Sequence, residues 1–211
     1  MAQHNDDLFE LGRQSLRALT NELAIYALYV DAKLEVRPGR ALLCHFSRED
    51  GLIYLSIPDP ETERGKFELL LLRAMIRFDS NEELMRLLEL LIPWLIAHET
   101  GHYLRHKDGL FRADLWDEER VANQLAIAFT KQRLSQDERE VLLQKMTRAI
   151  AGLALVVESK REPVAIRSRR NLVHYIYTHM CWFYADLLAE ETLTIAEFAQ
   201  AHQQQCARLC L

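Results

Sequence analysis

Ala97-His98-Glu99-Thr100-Gly101-His102-Tyr103-Leu104-Arg105-His106 decides how this chain is read. The stretch contains His-Glu-x-x-His, and an apolar run precedes it: Leu91, Ile92, Trp94, Leu95, Ile96 and Ala97. On a helix, positions i and i+4 share a face about one turn apart. His98 and His102 can therefore offer two imidazole nitrogens to one metal ion. Glu99 projects beside them, close enough to polarise a metal-bound water without being a ligand. Two ligands and a general base on one helix form the arrangement of a zinc peptidase. The plainer reading is a surface helix that happens to carry two histidines. The run before His98 is too apolar for an exposed helix. Burying two His and a Glu also costs free energy unless they are paired or metal-bound.

A hydrolytic zinc usually takes three protein ligands and keeps one position for water. Downstream candidates are His106, Asp108, Asp114, Asp117, Glu118 and Glu119. Just over two turns, about 12 Å of helix axis, separate His98 from His106, so a rigid helix cannot bring both to one ion. His106 is then an outer, gating or helix-end residue. A metzincin would need Gly at position 105 and His at 108; the chain has Arg105 and Asp108, which excludes that class. Gly109 breaks the helix and a new one opens near Trp116, with Val121, Ala122, Leu125, Ala126, Ala128 and Phe129 at helical spacing. Glu119, Ala122 and Ala126 share one face, and the small residues let this helix lie close against the first. Glu119 is the expected third ligand rather than a surface carboxylate. Glu118, about 100° away, is expected to be a solvated charge that suits the helix dipole. Asn123, one turn after Glu119, is placed to hydrogen-bond a ligand or neighbouring backbone.

The paired motifs resemble those of the ImmA/IrrE-type metallopeptidases, within the zincin group that uses Glu as third ligand. The likeness rests on Ala97 to His106 and on Glu119, Ala122, Asn123 and Ala126, and it covers roughly a third of the chain. It implies zinc held by His98, His102 and Glu119, with Glu99 as catalytic base. The chain departs from that family by a long Leu-rich helical segment before the motif. It also continues as helix through Phe129-Thr130-Lys131-Gln132, and carries no evident DNA-reading helix-turn-helix.

At 211 residues and 49% hydrophobic, the chain can bury its own core as a single domain. We divide it into an N-terminal helix over 1–35, a core with hairpin and zinc helices over 36–134, and C-terminal helices over 135–211. The expected class is mainly α (α+β): a zincin-like helical core with a small β-hairpin or sheet beside the active helix. A net charge of −5 gives no bulk reason to expect nucleic acid or an anionic membrane as partner. No apolar run reaches membrane-span length, and the polar, acidic N-terminus does not read as a signal peptide. Cys44, Cys181, Cys206 and Cys210 show no short paired spacing, which suits a reducing cytoplasm.

Along the chain, Asp6 to about Tyr29 reads as an amphipathic helix with Leu8, Leu11, Leu16, Leu19, Leu23 and Tyr26 on one face. Arg40 to Phe46 and Leu52 to Ile57, around an Asp-Gly turn, read as a β-hairpin. Leu52 to Ile57 is the expected edge strand for pairing an extended substrate, though a hairpin that merely caps the core fits equally. A helix over Thr62 to Phe78 is expected to turn Phe67, Leu70, Leu71, Ala74 and Met75 inward. Ser80 or Asn81 caps the next helix, which kinks or stops at Pro93, or restarts there. Ser135 to Glu138 resembles a capping box opening a helix to about Glu158. Lys160 to Arg170 concentrates positive charge; it is either a solvated connector or a site for an acidic partner. Asn171 to Leu188 is a helix rich in aromatics, where His174 or Tyr177 could reach the zinc and stabilise an oxyanion, against the commoner core-packing role. His202, Cys206 and Cys210 recur every four residues; one helix cannot bring all three to one ion, so a buried thiol face is expected.

These readings converge on a zinc-dependent hydrolase, foremost a cytoplasmic metallopeptidase with a protein or peptide substrate. A non-hydrolytic scaffold or regulator stabilised by Zn2+ is the alternative. A zinc-dependent non-peptide hydrolase or lipid-binding protein is the third, signalled by a closed apolar pocket too small for an extended peptide.

Overall fold

The helix that carries His98 and His102 is long in spite of an interior proline, Pro93. In the computed structural model it runs unbroken from Asn81 to Lys107. The model describes residues 2–39, 43–76, 78, 80–111, 114–158 and 170–209. Among these, seven helices and one three-stranded sheet follow in the order α1 (Ala2–Ile25), β1 (Val36–Pro38), β2 (Leu43–Ser47), β3 (Leu52–Ser56), α2 (Glu63–Ile76), α3 (Asn81–Lys107), α4 (Leu115–Arg133), α5 (Gln136–Glu158), α6 (Arg170–Leu188) and α7 (Ile195–Leu209). The chain is thus mainly α with a small sheet. The basic stretch from Lys160 lies outside the described residues up to Arg170, where the backbone of α6 begins. Among the described residues no helix is long and apolar enough to cross a membrane.

Ser80 caps α3 by accepting from the Glu83 N–H at 3.1 Å, and Arg105, His106 and Lys107 complement its C-terminal end. Pro93 lies inside this helix rather than ending or opening it. An interior proline costs about 3 kcal/mol. Burial of Leu87, Leu88, Ile92, Trp94, Leu95 and Ile96 around it outweighs that, at about 1.5–3 kcal/mol per side chain. α1 packs Leu8, Leu16, Leu19 and Leu23 into the same core, as its period predicts. The face expected of α2 is out of phase. Phe67 and Leu70 are exposed while Leu69 and Leu72 are buried; the side chains of Leu71, Ala74 and Met75 lie outside the description. Apolar residues nearly encircle this helix, so periodicity alone cannot choose its inward face.

The hairpin forms as expected, with β2 antiparallel to β3 and Gly51 at φ 74° in the turn. The role of β3 is corrected, however. Val36–Pro38 pairs with it in parallel, so the order is β1-β3-β2 and β3 is the central strand. Its N–H and C=O groups are therefore spent within the sheet. The edge facing α3 is β2, whose Phe46 N–H donates to Glu99 Oε2 at 2.7 Å. Three residues ending in Pro38-Gly39 are too short a signal to read as a strand.

The loop after α1 is tied to α3 by Tyr103, whose hydroxyl donates to Asp31 Oδ2 at 2.6 Å and accepts from the Asp31 N–H at 3.0 Å. Burial and this carboxylate push the Tyr103 pKa up to about 12. A raised folded-state pKa stabilises below the unfolded value near 10 and loses that contribution as pH rises toward 12. Tyr103→Phe is expected to lower stability by about 1.5–3 kcal/mol at neutral pH. Denaturant unfolding at pH 7 and pH 12 checks this, the difference between the proteins shrinking at the higher pH.

Candidate metal centre

Three potential ligand atoms meet where α3 and α4 cross. His98 Nε2 is 2.9 Å from Glu119 Oε2, His102 Nε2 is 3.4 Å from the same oxygen, and the two imidazole nitrogens are 3.2 Å apart. All three residues are largely buried. Ligands about 2.0–2.2 Å from a tetrahedral ion sit about 3.3–3.5 Å from one another. The 3.2 and 3.4 Å separations are close to that spacing, while the 2.9 Å between His98 and Glu119 is a hydrogen-bond length; the three atoms form a group that could hold a metal ion. Without a cation or shared protons, this convergence of lone pairs in a buried place is unfavourable. The Nδ1 atoms of both histidines are buried and find no partner among the described residues. Hydrogen bonding at those atoms therefore does not account for the placement of the imidazoles.

Small residues allow the crossing. A Cβ placed on Gly101 would lie 2.9 Å from Ala122 Cα and 3.2 Å from its Cβ. The expected close approach of the two helices is present: Gly101 adjoins His102 and lies three residues after His98, and Ala122 lies three residues after Glu119. Gly101→Ala is expected to push α4 outward, destabilise by about 1–3 kcal/mol, and weaken binding of any metal ion that the three donors hold. Unfolding curves with and without zinc check both effects.

Glu118 is not a solvated charge. It is 1% exposed and receives two 2.7 Å hydrogen bonds from Arg105, through Nε and Nη2. Arg105 is also fully buried and donates to the Leu110 carbonyl and to Gln205 Oε1. The helical wheel correctly separates Glu118 from Glu119, but it cannot show that Arg105 waits on the neighbouring helix. This pair links α3 to α4 one residue before Glu119, on a different face of the helix.

The electrostatics follow from crowding. Burial would raise Glu119, but hydrogen bonds with His102 and His98 override it and hold the carboxyl well below the usual range. Burial opposes charge on His102, yet Glu119 and the charge of Glu99 raise its pKa. Cys44, half-buried on β2, is held well above the ordinary thiol range by desolvation and by Glu99, so it stays a thiol.

Other expected site residues lie elsewhere. His106 is exposed in the last turn of α3, its ring 5.8 Å from that of Phe46, and stands outside the donor cluster. Asn123 binds neither a ligand nor the backbone: it accepts from Trp94 Nε1 at 3.2 Å and donates to Asp186 at 2.8 Å. His174 is exposed, and Tyr177, half-buried, has its pKa raised by the neighbouring Cys181 rather than by the donor cluster. The residues of α6 that face the centre are Tyr175 and His179, whose rings lie 4.1 Å apart. Tyr175 is partly exposed at its outer side, and desolvation of its phenol together with the Glu119 charge raises its pKa above the ordinary phenol range. His179 Nε2 is buried, without a hydrogen-bond partner, and 3.7 Å from Glu119 Oε2. Burial lowers its pKa to about 4. Every turn of α6 carries aromatics, so sequence could not choose the phase. Stacking of Phe183 on Trp94 at 4.6 Å does.

A second group of potential ligand atoms joins His202 and Cys206 on α7 to Asp108, at the end of α3. His202 is buried and its Nε2 lies 2.8 Å from Asp108 Oδ2. Cys206 is only half-buried, which departs from the expected buried thiol face, and Cys210 lies outside the described residues. The His202–Asp108 contact fastens the last helix to α3.

Comparison with protein-family models, curated proteins and solved structures gives no significant match.

Proposed function

We propose that this chain is a zinc-dependent hydrolase, foremost a metallopeptidase of zincin type acting on a protein or peptide in the cytoplasm. One observation carries the reading: two imidazole nitrogens and a carboxylate oxygen within 4.8 Å of one another, with the Glu99 carboxylate beside them. His98, His102 and Glu119 would hold the ion. A zinc ion bound there supplies a Lewis acid and a water acidified toward neutral pH. Glu99, oriented by the Phe46 N–H, accepts a proton from the attacking water and passes it to the departing amine. The water oxygen ends in the new carboxyl group. Tyr175 keeps its phenolic proton at neutral pH and, with His179, is placed to donate to the developing oxyanion. The likeness to ImmA/IrrE-type sequences supports the same ligand set.

The test is zinc stoichiometry together with cleavage of a mixed peptide pool. One zinc per chain, lost in Glu119→Ala, and zinc-dependent cleavage are expected. Absence of zinc binding, or a pool left intact by zinc-loaded protein, overturns the proposal.

His179 favours a second reading. Its unpartnered Nε2 near Glu119 is positioned to close the fourth coordination place, which would make the ion a structural clamp between α3 and α4. X-ray absorption at the zinc edge separates the two: two imidazoles and a water-derived oxygen for the hydrolase, three imidazoles for the clamp.

A further inference from the structure

We propose that an apolar pocket beside Glu99 receives one bulky uncharged side chain of the substrate, from a residue flanking the cut bond. The assignment rests on the hydrolase reading and adds to it the class of peptide that is cut. The pocket lies between α3, α5, α6 and β2. Its apolar lining comes from Trp94 and Leu95 of α3, Met146 of α5, and Ile176, Met180 and Phe183 of α6, with Phe183 stacked on Trp94 at 4.6 Å. His98, Glu99, Tyr175 and His179 belong to the same lining. A side chain lodged here therefore brings its own backbone to the base and to the donor cluster.

Size and chemistry select the occupant. The cavity is about 140 Å³, close to the roughly 150 Å³ of an apolar protein cavity that takes up benzene. It holds one phenyl, isobutyl or thioether group. An indole, a fatty chain or several residues of extended peptide exceed it, and because it opens partly to solvent it is not the closed cavity that signals the non-peptide reading. Among the described lining residues there is no Lys or Arg to pair an acidic side chain, and Glu99, the carboxylate there, already accepts from the Phe46 N–H and serves as the base in the proposed reaction, so uncharged side chains fit best. Met146 and Met180 have unbranched, polarisable side chains that adapt to aromatic or aliphatic shapes. Phe, Leu and Met are the fitting residues. The larger cleft of about 290 Å³ bounded by Arg120, Asp186 and Glu191 is charged and touches neither His98 nor Glu99.

Two measurements test this. In the first, metal-free protein carrying 13C-methyl methionine is titrated with benzene. Saturable shifts at Met146 and Met180 are expected, with Met85, which is not in the lining, as internal reference. Folded protein whose Met146 and Met180 signals stay still overturns the pocket. In the second, zinc-loaded protein is given a peptide pool and the cut positions are mapped. Peptides with Phe, Leu or Met at one fixed position beside the cut are expected to react at least about tenfold faster than those with Ala there. Ile176→Trp, which fills the pocket, should abolish the preference, and Met180→Ala, which enlarges it, should admit Trp. Cleavage indifferent to that position overturns the pocket assignment alone. An uncut pool with benzene still bound overturns the hydrolase reading, and with it the assignment to a substrate side chain.

Discussion

Glu99→Gln is expected to leave zinc bound at one equivalent while slowing peptide cleavage by about 10²–10⁴-fold. Gln has the shape of Glu and still offers an oxygen to the Phe46 N–H, so the edge of β2 stays in place. What the amide cannot do is accept a proton from water near neutral pH. Unfolding midpoint and zinc affinity should therefore barely move while turnover falls. Cleavage kinetics on the zinc-loaded variant, beside a metal titration, read both quantities. Undiminished cleavage would remove Glu99 from the chemistry. Loss of zinc would make it part of the binding site instead.

Arg105→Met is expected to cost about 3–5 kcal/mol of stability. Typical domain stabilities are about 5–15 kcal/mol, so this is one of the most damaging single changes available outside the donor cluster. The cause is desolvation. Arg105 and Glu118 are each 1% exposed, and removing the guanidinium strands a carboxylate in the interior. The double change Arg105→Met with Glu118→Leu should recover most of the loss, because an apolar pair of similar volume has no charge to strand. Zinc affinity separates packing from alignment. If the ion pair sets the rotation of α4, the double variant folds but binds zinc more weakly than wild type. Equal affinity would show that the crossing at Gly101 and Ala122 alone orients Glu119. Denaturant unfolding and calorimetric zinc titration provide the two readings.

The short-range grammar of this chain was legible. Ser80 caps α3 and Ser135 forms a reciprocal box with Glu138; both depend on residues three apart. The hairpin around Gly51 was equally visible, because a turn residue and two apolar runs suffice to signal it. Errors arose wherever a choice of face or partner depended on distant residues. β3 lost its expected edge to a three-residue strand. Phe67 and Leu70 of α2 point outward because α5 meets the other side. Tyr175 and His179, not His174 and Tyr177, face the donor cluster.

The sequence by itself determined that His98 and His102 share one helical face with Glu99 beside them, since helix geometry over five residues admits little else. Its spacing also singled out Glu119 from Glu118, and the folded chain brings Glu119 Oε2 within 2.9 Å of His98 Nε2. Tertiary structure alone decided what surrounds that triad: the backbone N–H that orients Glu99, the buried arginine that links α3 to α4, and the pocket framed by three helices and a strand. Those features are contacts between residues far apart in the chain. They depend on which surfaces exclude water together, and no local period records that.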